Sequence, residues 1–244
     1  MITSASNPRL RLIRRLASRR QRERLGLFVC EGEDLVAAGL DAGVQPVHAL
    51  VDAERPPAEL VDRLPAAEGV APALLGEISS LGHHARIVAV FGRDDLPRAA
   101  RGGGLALWRV ADPGNVGTLL RAADAFGAGF VALSPGCADP TGPKALRAAA
   151  GAIFRVAVAP FDDAPRPWTA LATRGGPPLA ELALPAEGTL VLGAEREGLP
   201  DDIAASCEAV ATIPQAGAAE SLNVAMAGSI ALYEWSRQHG RRDQ

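Results

Sequence analysis

Hydrophobic and polar residues alternate along the chain at spacings that predict both helices and strands. Near the start, Leu10, Ile13 and Leu16 recur every third position, and Asn7-Pro8 just before them is typical of a helix N-terminus. We therefore predict a helix there. In the rest of the first 92 residues, short apolar runs predict strands and amphipathic runs predict helices. The predicted strands are 27–30, 46–51 and 87–91, and the predicted helices are 34–40, 59–64 and 73–79.

The second part of the chain alternates more regularly. The predicted strands are 105–110, 130–133, 154–159, 189–192 and 209–213, and the predicted helices are 115–126, 142–150, 168–174, 199–206 and 221–238. Nearly continuous apolar strands separated by helices are typical of a parallel sheet covered on both faces, so the predicted fold class is α/β. A polar, Gly- and Pro-containing stretch at 93–104 predicts a linker between domains at 1–92 and 105–244.

Charge is distributed unevenly along the chain. The net charge of −3 over 244 residues argues against a surface that binds polyanions everywhere, so any contact with a polyanion has to be local. One local cluster of arginines, opposed within its own stretch only by Glu23, comprises Arg9, Arg11, Arg14, Arg15, Arg19, Arg20, Arg22 and Arg24. It is either a phosphate-binding surface or the solvated face of a charged helix.

The cysteines and the N-terminal sequence indicate the cellular compartment of the protein. Cys30, Cys137 and Cys207 are widely spaced and include no Cys-x-x-Cys pair, so we predict neither disulfides nor a metal site. Arginines recur every few positions near the N-terminus, so it contains no apolar segment of the kind found in signal peptides. No apolar run approaches the ~18 residues of a membrane span. We predict a cytoplasmic protein with no membrane contact.

Three short blocks follow predicted strands in the second part of the chain. They are residues 112–117 running on to Arg121, residues 192–200, and Ile213-Pro214 followed by residues 221–224. Ligand sites of open α/β sheets are built where strands end, so these blocks are candidates for a common site. The first strand is not followed by Gly-x-Gly-x-x-Gly, which weighs against dinucleotide binding.

In this order and spacing, the three blocks resemble the motifs of the SpoU/TrmH branch of the SPOUT methyltransferases. Ser4, Asn7-Pro8 and residues 28–32 resemble the substrate-binding domain that many of these enzymes carry. The resemblance implies S-adenosylmethionine-dependent methylation of a ribose 2′-hydroxyl in structured RNA, with ribosomal RNA favoured over tRNA. It also implies a homodimer and a C-terminal domain with a deep trefoil knot. The knot rests on the resemblance only, because local folding rules disfavour knots.

Arg121 is the first candidate for catalysis, and the residues around it leave two interpretations open. Its helix is apolar on almost every side, so we expect the guanidinium to be buried and to need a partner or a ligand. Asp124, three residues later, is the alternative partner. A guanidinium stays protonated, so we prefer a role in holding a phosphate and stabilising charge over a role as the base.

The other candidate residues also have ordinary structural interpretations. Asn115 and Ser221 each stand at a predicted helix start and are typical N-caps. Glu195 follows a central strand, where a carboxylate is placed to orient a ligand or an arginine, although it is also a turn charge beside Arg196. Lys144 and Arg147 either contact RNA phosphates or lie on a surface helix.

The resemblance, together with the arginine cluster, gives three sets of candidate residues. The catalytic set is Arg121, Asn115, Glu195, Ser221 and Asn223. The cofactor-binding set is Leu192, Gly193, Ala194, Gly198, Ile213, Ser221 and Leu222. The RNA-binding set is Arg9, Arg14, Arg15, Arg19, Arg22, Lys144 and Arg147. Gln215 departs from the family pattern, in which Met is frequent at this position.

Three alternatives remain at this point. One is a tRNA 2′-O-methyltransferase, and another is a nucleotide-dependent enzyme on a plain Rossmann sheet. The third is a non-catalytic RNA-binding relative, which predicts a damaged motif, whereas all five residues of the catalytic set are present.

Overall fold

The computed structural model describes residues 1–79, 85–217 and 221–240. Its helices are α1 Pro8–Leu16, α2 Arg19–Leu25, α3 Glu33–Asp41, α4 Ala58–Val61, α5 Pro72–Ile78, α6 Pro113–Ala125, α7 Pro143–Ala149, α8 Asp201–Ala205 and α9 Val224–His239. Its strands are β1 Leu27–Glu31, β2 His48–Asp52, β3 Glu68–Val70, β4 Ile87–Gly92, β5 Gly104–Leu107, β6 Phe130–Leu133, β7 Ala157–Pro160, β8 Trp168–Ala172, β9 Thr189–Leu192 and β10 Ala209–Thr212.

The chain forms two compact units. The first consists of residues 1–96 and 139–154, and the second of residues 97–138 and 155–244. The division predicted from the sequence differs from this grouping chiefly in residues 139–154, which contain α7. This segment follows β6 in the chain, yet it groups with the N-terminal part.

The first unit is a mixed sheet with helices packed against it. The strand order is β1-β4-β2-β3, in which β4 is antiparallel to β1 and β2, and β2 is parallel to β3. Asn7 caps α1 by accepting a hydrogen bond from the backbone N–H of Arg9 at 2.8 Å, as the sequence predicts. The stripe of Leu10, Ile13 and Leu16 is buried in one core with strand residues of the sheet.

The second unit is a sheet of six parallel strands in the order β10-β8-β9-β5-β6-β7. The predicted α/β class is therefore confirmed. Helices α6 and α9 pack together, and Gly228 of α9 allows a close approach, because a Cβ there would lie 2.3 Å from a methyl carbon of Leu119.

One predicted element of the second unit is wrong, and another starts later than predicted. A helix is predicted at residues 168–174, but β8 pairs with β9 and β10 over this stretch. Only about seven residues separate Pro167 from Gly175-Gly176, too few for a typical helix, and tertiary pairing overrides the weak local propensity. Strand β7 begins at Ala157, because residues Ala152–Phe154 form a 3-10 turn instead.

Candidate active site

The carboxyl ends of the parallel strands in the second unit carry two neighbouring cavities. The first cavity, of about 620 Å³, is lined by residues that follow β8, β9 and β10. All members of the predicted cofactor-binding set lie in its wall: Leu192, Gly193, Ala194, Gly198, Ile213, Ser221 and Leu222. The second cavity, of about 610 Å³, is lined by residues that follow β5, β6 and β9. The structure thus brings the three sequence blocks to one edge of the sheet.

The loop after β9 lines both cavities. It closes on itself through two hydrogen bonds between the backbones of Ala194 and Gly198, at 3.0 and 3.1 Å. A Cβ on Gly193 would lie 2.1 Å from the carbonyl carbon of Gly198, so only glycine fits there. Gly198 has a φ of 68°, which also favours glycine. The conformation of the loop therefore requires glycine at both positions, whether or not a cofactor is bound.

Three residues of the catalytic set form one chain of hydrogen bonds, each contributed by a different block. The side-chain amide of Asn115 donates to Oε1 of Glu195 at 2.9 Å. The amide of Asn223 donates to Oδ1 of Asn115 at 3.3 Å. Asn115 therefore connects the loop after β9 with the start of α9, and its orientation depends on both neighbours.

The helix caps near this hydrogen-bond chain differ from those that the sequence suggested. Oδ1 of Asp112 accepts from the backbone N–H of Asn115 at 3.0 Å, so Asp112 caps α6. Oδ1 of Asn223 accepts from the N–H of Ala225 at 2.9 Å and caps α9. Asn115 and Ser221 are thus not the caps. The side chain of Asn115 is available for the contact with Glu195, and Ser221 is exposed in the wall of the first cavity.

The expectation that Arg121 is buried is wrong. Its side chain lies on the exposed face of α6, next to the buried Leu120 and Ala122. Asp124 is not its partner either, because that carboxylate forms an ion pair with Arg155 at 2.7 Å. Among residues 1–79, 85–217 and 221–240, Arg121 has no hydrogen-bond or ion-pair partner. Its guanidinium is therefore accessible to a ligand.

One residue of the RNA-binding set, Arg22, has a structural position instead. It is only 5% exposed and donates from Nε and an Nη atom to Oδ2 of Asp139 at 2.9 and 2.7 Å. The other Nη atom donates to the carbonyls of Leu16 and Ala17 at the end of α1. This arrangement engages four of the five N–H groups of Arg22 and buries its guanidinium, so the position of Arg22 is structural and does not support the predicted contact with an RNA phosphate.

Carboxylates pair with three other members of the set, two of them from distant parts of the sequence and one from four residues along the same helix. Glu68 pairs with Arg9, Glu77 with Arg14, and Glu23 with Arg19. Arg15 is exposed, and its nearest polar partner is Gln21 at 3.5 Å. Lys144 and Arg147 are exposed on α7 and belong to the same compact unit as the N-terminal arginines. Arg11, Arg20 and Arg24 are exposed and have no carboxylate partner within the described ranges.

The first cavity fits a nucleoside-derived cofactor. Its volume falls within the roughly 300–1,000 Å³ that is typical of small-molecule sites. Oε1 of Gln215, which lines this cavity, is buried without a hydrogen-bond partner in the described structure. An unpaired buried acceptor is costly, and an N–H group of a ligand would satisfy it. The sequence pointed to Gln215 only as a departure from the family pattern.

Two further findings concern the described residues only. No cluster of His, Cys, Asp and Glu side chains in these ranges is arranged to hold a metal ion. None of the helices in the same ranges combines the length and apolar character needed to cross a membrane.

The carboxyl edge of the parallel sheet carries a cavity of cofactor size and, beside it, the hydrogen-bonded side chains of Asn223, Asn115 and Glu195. This arrangement is typical of α/β enzymes that bind a cofactor. Residues 104–233 match the SpoU rRNA Methylase family, and residues 7–89 match the MRM3-like substrate binding domain. The chain belongs to the SpoU rRNA methylase family, as the sequence resemblance indicated.

Relatives and solved structures extend over almost the whole chain. An uncharacterized tRNA/rRNA methyltransferase from Synechocystis sp. is 32% identical and is matched over 97% of this chain and 93% of its own length. The 23S rRNA (guanosine(2553)-2′-O)-methyltransferase RlmP from Bacillus subtilis is 29% identical over 95% of this chain and 97% of its own. The crystal structure of an AdoMet-bound rRNA methyltransferase from Sinorhizobium meliloti has a TM-score of 0.85 and 29% identity, covering 98% and 97% of the two chains.

Proposed function

We propose that this protein methylates a ribose 2′-hydroxyl of ribosomal RNA with S-adenosylmethionine as the methyl donor. The observation that carries this proposal is the hydrogen-bonded chain of Asn223, Asn115 and Glu195 beside the first cavity. Each residue comes from a different motif, and all three motifs are intact. In a non-catalytic relative, nothing would maintain these three side chains in one hydrogen-bonded arrangement.

The similarity to known enzymes supports the reaction and the class of substrate. The Bacillus subtilis relative is a 23S rRNA 2′-O-methyltransferase, and the Sinorhizobium meliloti structure is an rRNA methyltransferase with bound AdoMet. A substrate in ribosomal RNA also favours a cytoplasmic location. The trefoil knot that the resemblance implies stays a prediction.

The first cavity would hold the cofactor. Backbone groups of Leu192, Gly193, Ile213 and Leu222 would contact it, and Oε1 of Gln215 would accept a hydrogen bond from one of its N–H groups. When bound, S-adenosylmethionine supplies a methyl group on a sulfonium, which is open to in-line attack by a hydroxyl oxygen.

The polar residues would align the hydroxyl and favour loss of its proton. Arg121 would hold the phosphate beside the target ribose and stabilise the negative charge that develops on the oxygen, because a guanidinium remains protonated. Asn115 would keep Glu195 and Asn223 in fixed orientations at the cavity. Positioning of this kind can supply about 7–11 kcal/mol of a barrier.

The first unit would bind the RNA. Arg11, Arg15, Arg20 and Arg24 are exposed and without carboxylate partners among the described residues, so we infer that they contribute most of the phosphate contacts. Arg9, Arg14 and Arg19 would have to exchange their carboxylate partners for phosphates. Lys144 and Arg147 would extend the same basic surface within this unit.

The function is tested with labelled S-adenosylmethionine and separate samples of unmodified 23S rRNA, 16S rRNA and bulk tRNA. We expect label in 23S rRNA, at a nucleotide whose 3′ phosphodiester resists alkaline cleavage. Label in tRNA alone would replace the rRNA proposal by the tRNA alternative. Cofactor binding without label in any RNA, including assembly intermediates, would contradict the proposed activity.

Replacing Asn115 by alanine is expected to reduce kcat by about 10- to 100-fold, because hydrogen bonds to charged groups contribute about 1.5–3 kcal/mol. The change separates Glu195 from Asn223, yet it leaves the Asp112 cap in place. Thermal unfolding should therefore hardly change. Thr118→Ala, on the exposed face of the same helix, is the matched control. A wild-type kcat for Asn115→Ala would show that the hydrogen-bond chain is unnecessary.

We also propose that the protein is a homodimer formed through α9. Met226, Ile230 and Tyr233 follow one face of this helix and are 56%, 40% and 57% exposed. Large apolar residues in a continuous exposed stripe mark interaction surfaces, and the same stripe on a second copy would cover them around a twofold axis.

Ile230→Glu is expected to convert the dimer to a monomer, because it places a charge at the centre of the stripe. Light scattering after size-exclusion chromatography measures the mass directly. Val47→Glu alters an apolar residue of the first unit that is 52% exposed, against 40% for Ile230, and should leave the mass unchanged. A monomeric wild-type protein at micromolar concentration, or a dimeric Ile230→Glu variant, would rule out this interface.

A further inference from the structure

Arg109 has an unusual backbone conformation beside the second cavity. Its φ is 53°, in the left-handed region that residues with a Cβ rarely adopt. Its backbone N–H donates to Oγ of Ser134 at 2.9 Å, and that serine is only 4% exposed. A buried hydroxyl after β6 therefore holds the strained residue after β5 in place.

The side chain of Arg109 runs across Gly136. A Cβ on Gly136 would lie 3.4 Å from both Cγ and Nε of Arg109, and Gly136 itself has a φ of 95°. Glycine at position 109 would remove the backbone strain, yet the chain has arginine there. Strained residues persist only where the surrounding structure enforces them, and they cluster at active sites and ligand clamps.

The surroundings of Arg109 indicate what it binds. The second cavity is also lined by Asp112, Asn115, Glu195, Arg196 and Glu197. Asp112 accepts the N–H that caps α6, and Glu195 accepts from Asn115, so two of the three carboxylates already have donors. Arg109 is exposed and has no side-chain partner among the described residues. An anion of the substrate would provide one.

We propose that Arg109 is an RNA-positioning residue that binds a phosphate next to the target ribose. The inference rests on the proposed function and deepens it, because it places the RNA strand over the second cavity. Asn115 and the loop after β9 line this cavity as well, so a phosphate held here puts the neighbouring ribose beside the catalytic set. The planar guanidinium suits bidentate phosphate binding.

Arg109→Gly is the decisive variant, because it removes the guanidinium and the backbone strain together. We expect KM for the RNA to rise about tenfold or more, kcat to change little, and Tm to stay the same or rise. The slope of log affinity against log salt concentration should become shallower by about 0.7–0.9, the value for one lost phosphate contact. Arg109→Lys should keep the salt slope while recovering only part of the affinity.

These outcomes separate the inference from the function on which it depends. Wild-type methylation of rRNA tests the proposed function, and the ratio of Arg109→Gly to wild type tests Arg109. Direct RNA-binding measurements give the salt slope even without turnover. An unchanged KM and salt slope for Arg109→Gly would overturn the proposal, as would a fall in kcat alone.

Discussion

Arg121→Ala is expected to reduce methyl transfer by about 10²–10³-fold or more, the usual cost of removing one group that stabilises transition-state charge. Cofactor affinity should survive, because Arg121 is not in the wall of the first cavity. Folding should survive as well, since the side chain is exposed and contacts no partner in the described ranges. Single-turnover methylation and equilibrium binding of S-adenosylmethionine measure the two quantities separately.

The conservative variant distinguishes the two roles discussed for this arginine. If Arg121 acts by its charge, Arg121→Lys should recover part of the rate, with a pH profile like that of the wild type. Arg101→Ala, an exposed arginine outside both cavities, should behave as wild type. Full turnover by Arg121→Ala would exclude any essential role. A loss of cofactor binding would move Arg121 from catalysis to the cofactor site.

Breaking the ion pair of Arg22 and Asp139 is expected to have the largest effect on stability. Both side chains are 6% exposed, and Oδ1 of Asp139 also accepts from the N–H and Oγ1 of Thr141 at 2.9 and 2.7 Å. Removing one partner leaves a buried charge without compensation, so Arg22→Ala or Asp139→Ala should cost about 3–5 kcal/mol. Urea unfolding of the purified variants gives this difference.

Two further variants identify the origin of that loss. The double replacement Arg22→Met with Asp139→Leu should regain much of the stability, because an apolar pair of similar volume needs no desolvation of charge. Arg15→Ala removes an exposed arginine of the same segment and should weaken RNA binding without altering unfolding. A single Arg22 variant as stable as the wild type would contradict the structural role.

The same pair makes stability depend on pH. Burial by itself raises the pKa of Asp139, but hydrogen bonds from Thr141 and Arg22 outweigh burial and hold that pKa below its usual value. The stabilisation is therefore present above the unfolded-state pKa of about 3.9 and is lost as the pH falls through the folded-state pKa. Urea unfolding from pH 6 downwards should show a larger loss of stability below about pH 3.9 in the wild type than in Asp139→Asn.

Local patterns in the sequence determined much of the architecture and the position of the site. The period-three stripe and Asn7 predicted α1, and continuous apolar runs predicted five of the six strands of the parallel sheet. Because the carboxyl ends of parallel strands share one edge, the three motif blocks were expected together, and the structure brings them there. Helices and strands depend on residues that are close in the chain, so the periodicity of the sequence predicts them.

Only the tertiary structure decided which charged side chains are free to bind a ligand and which are buried or paired. Arg22 and Asp139 are 117 positions apart, and Glu68 and Glu77 pair with Arg9 and Arg14 across 59 and 63 positions. A run of arginines has the same sequence whether its members are exposed or buried. Strand β8 likewise owes its conformation to β9 and β10 on either side. Burial and long-range pairing arise only when distant segments meet, and therefore no local pattern contains them.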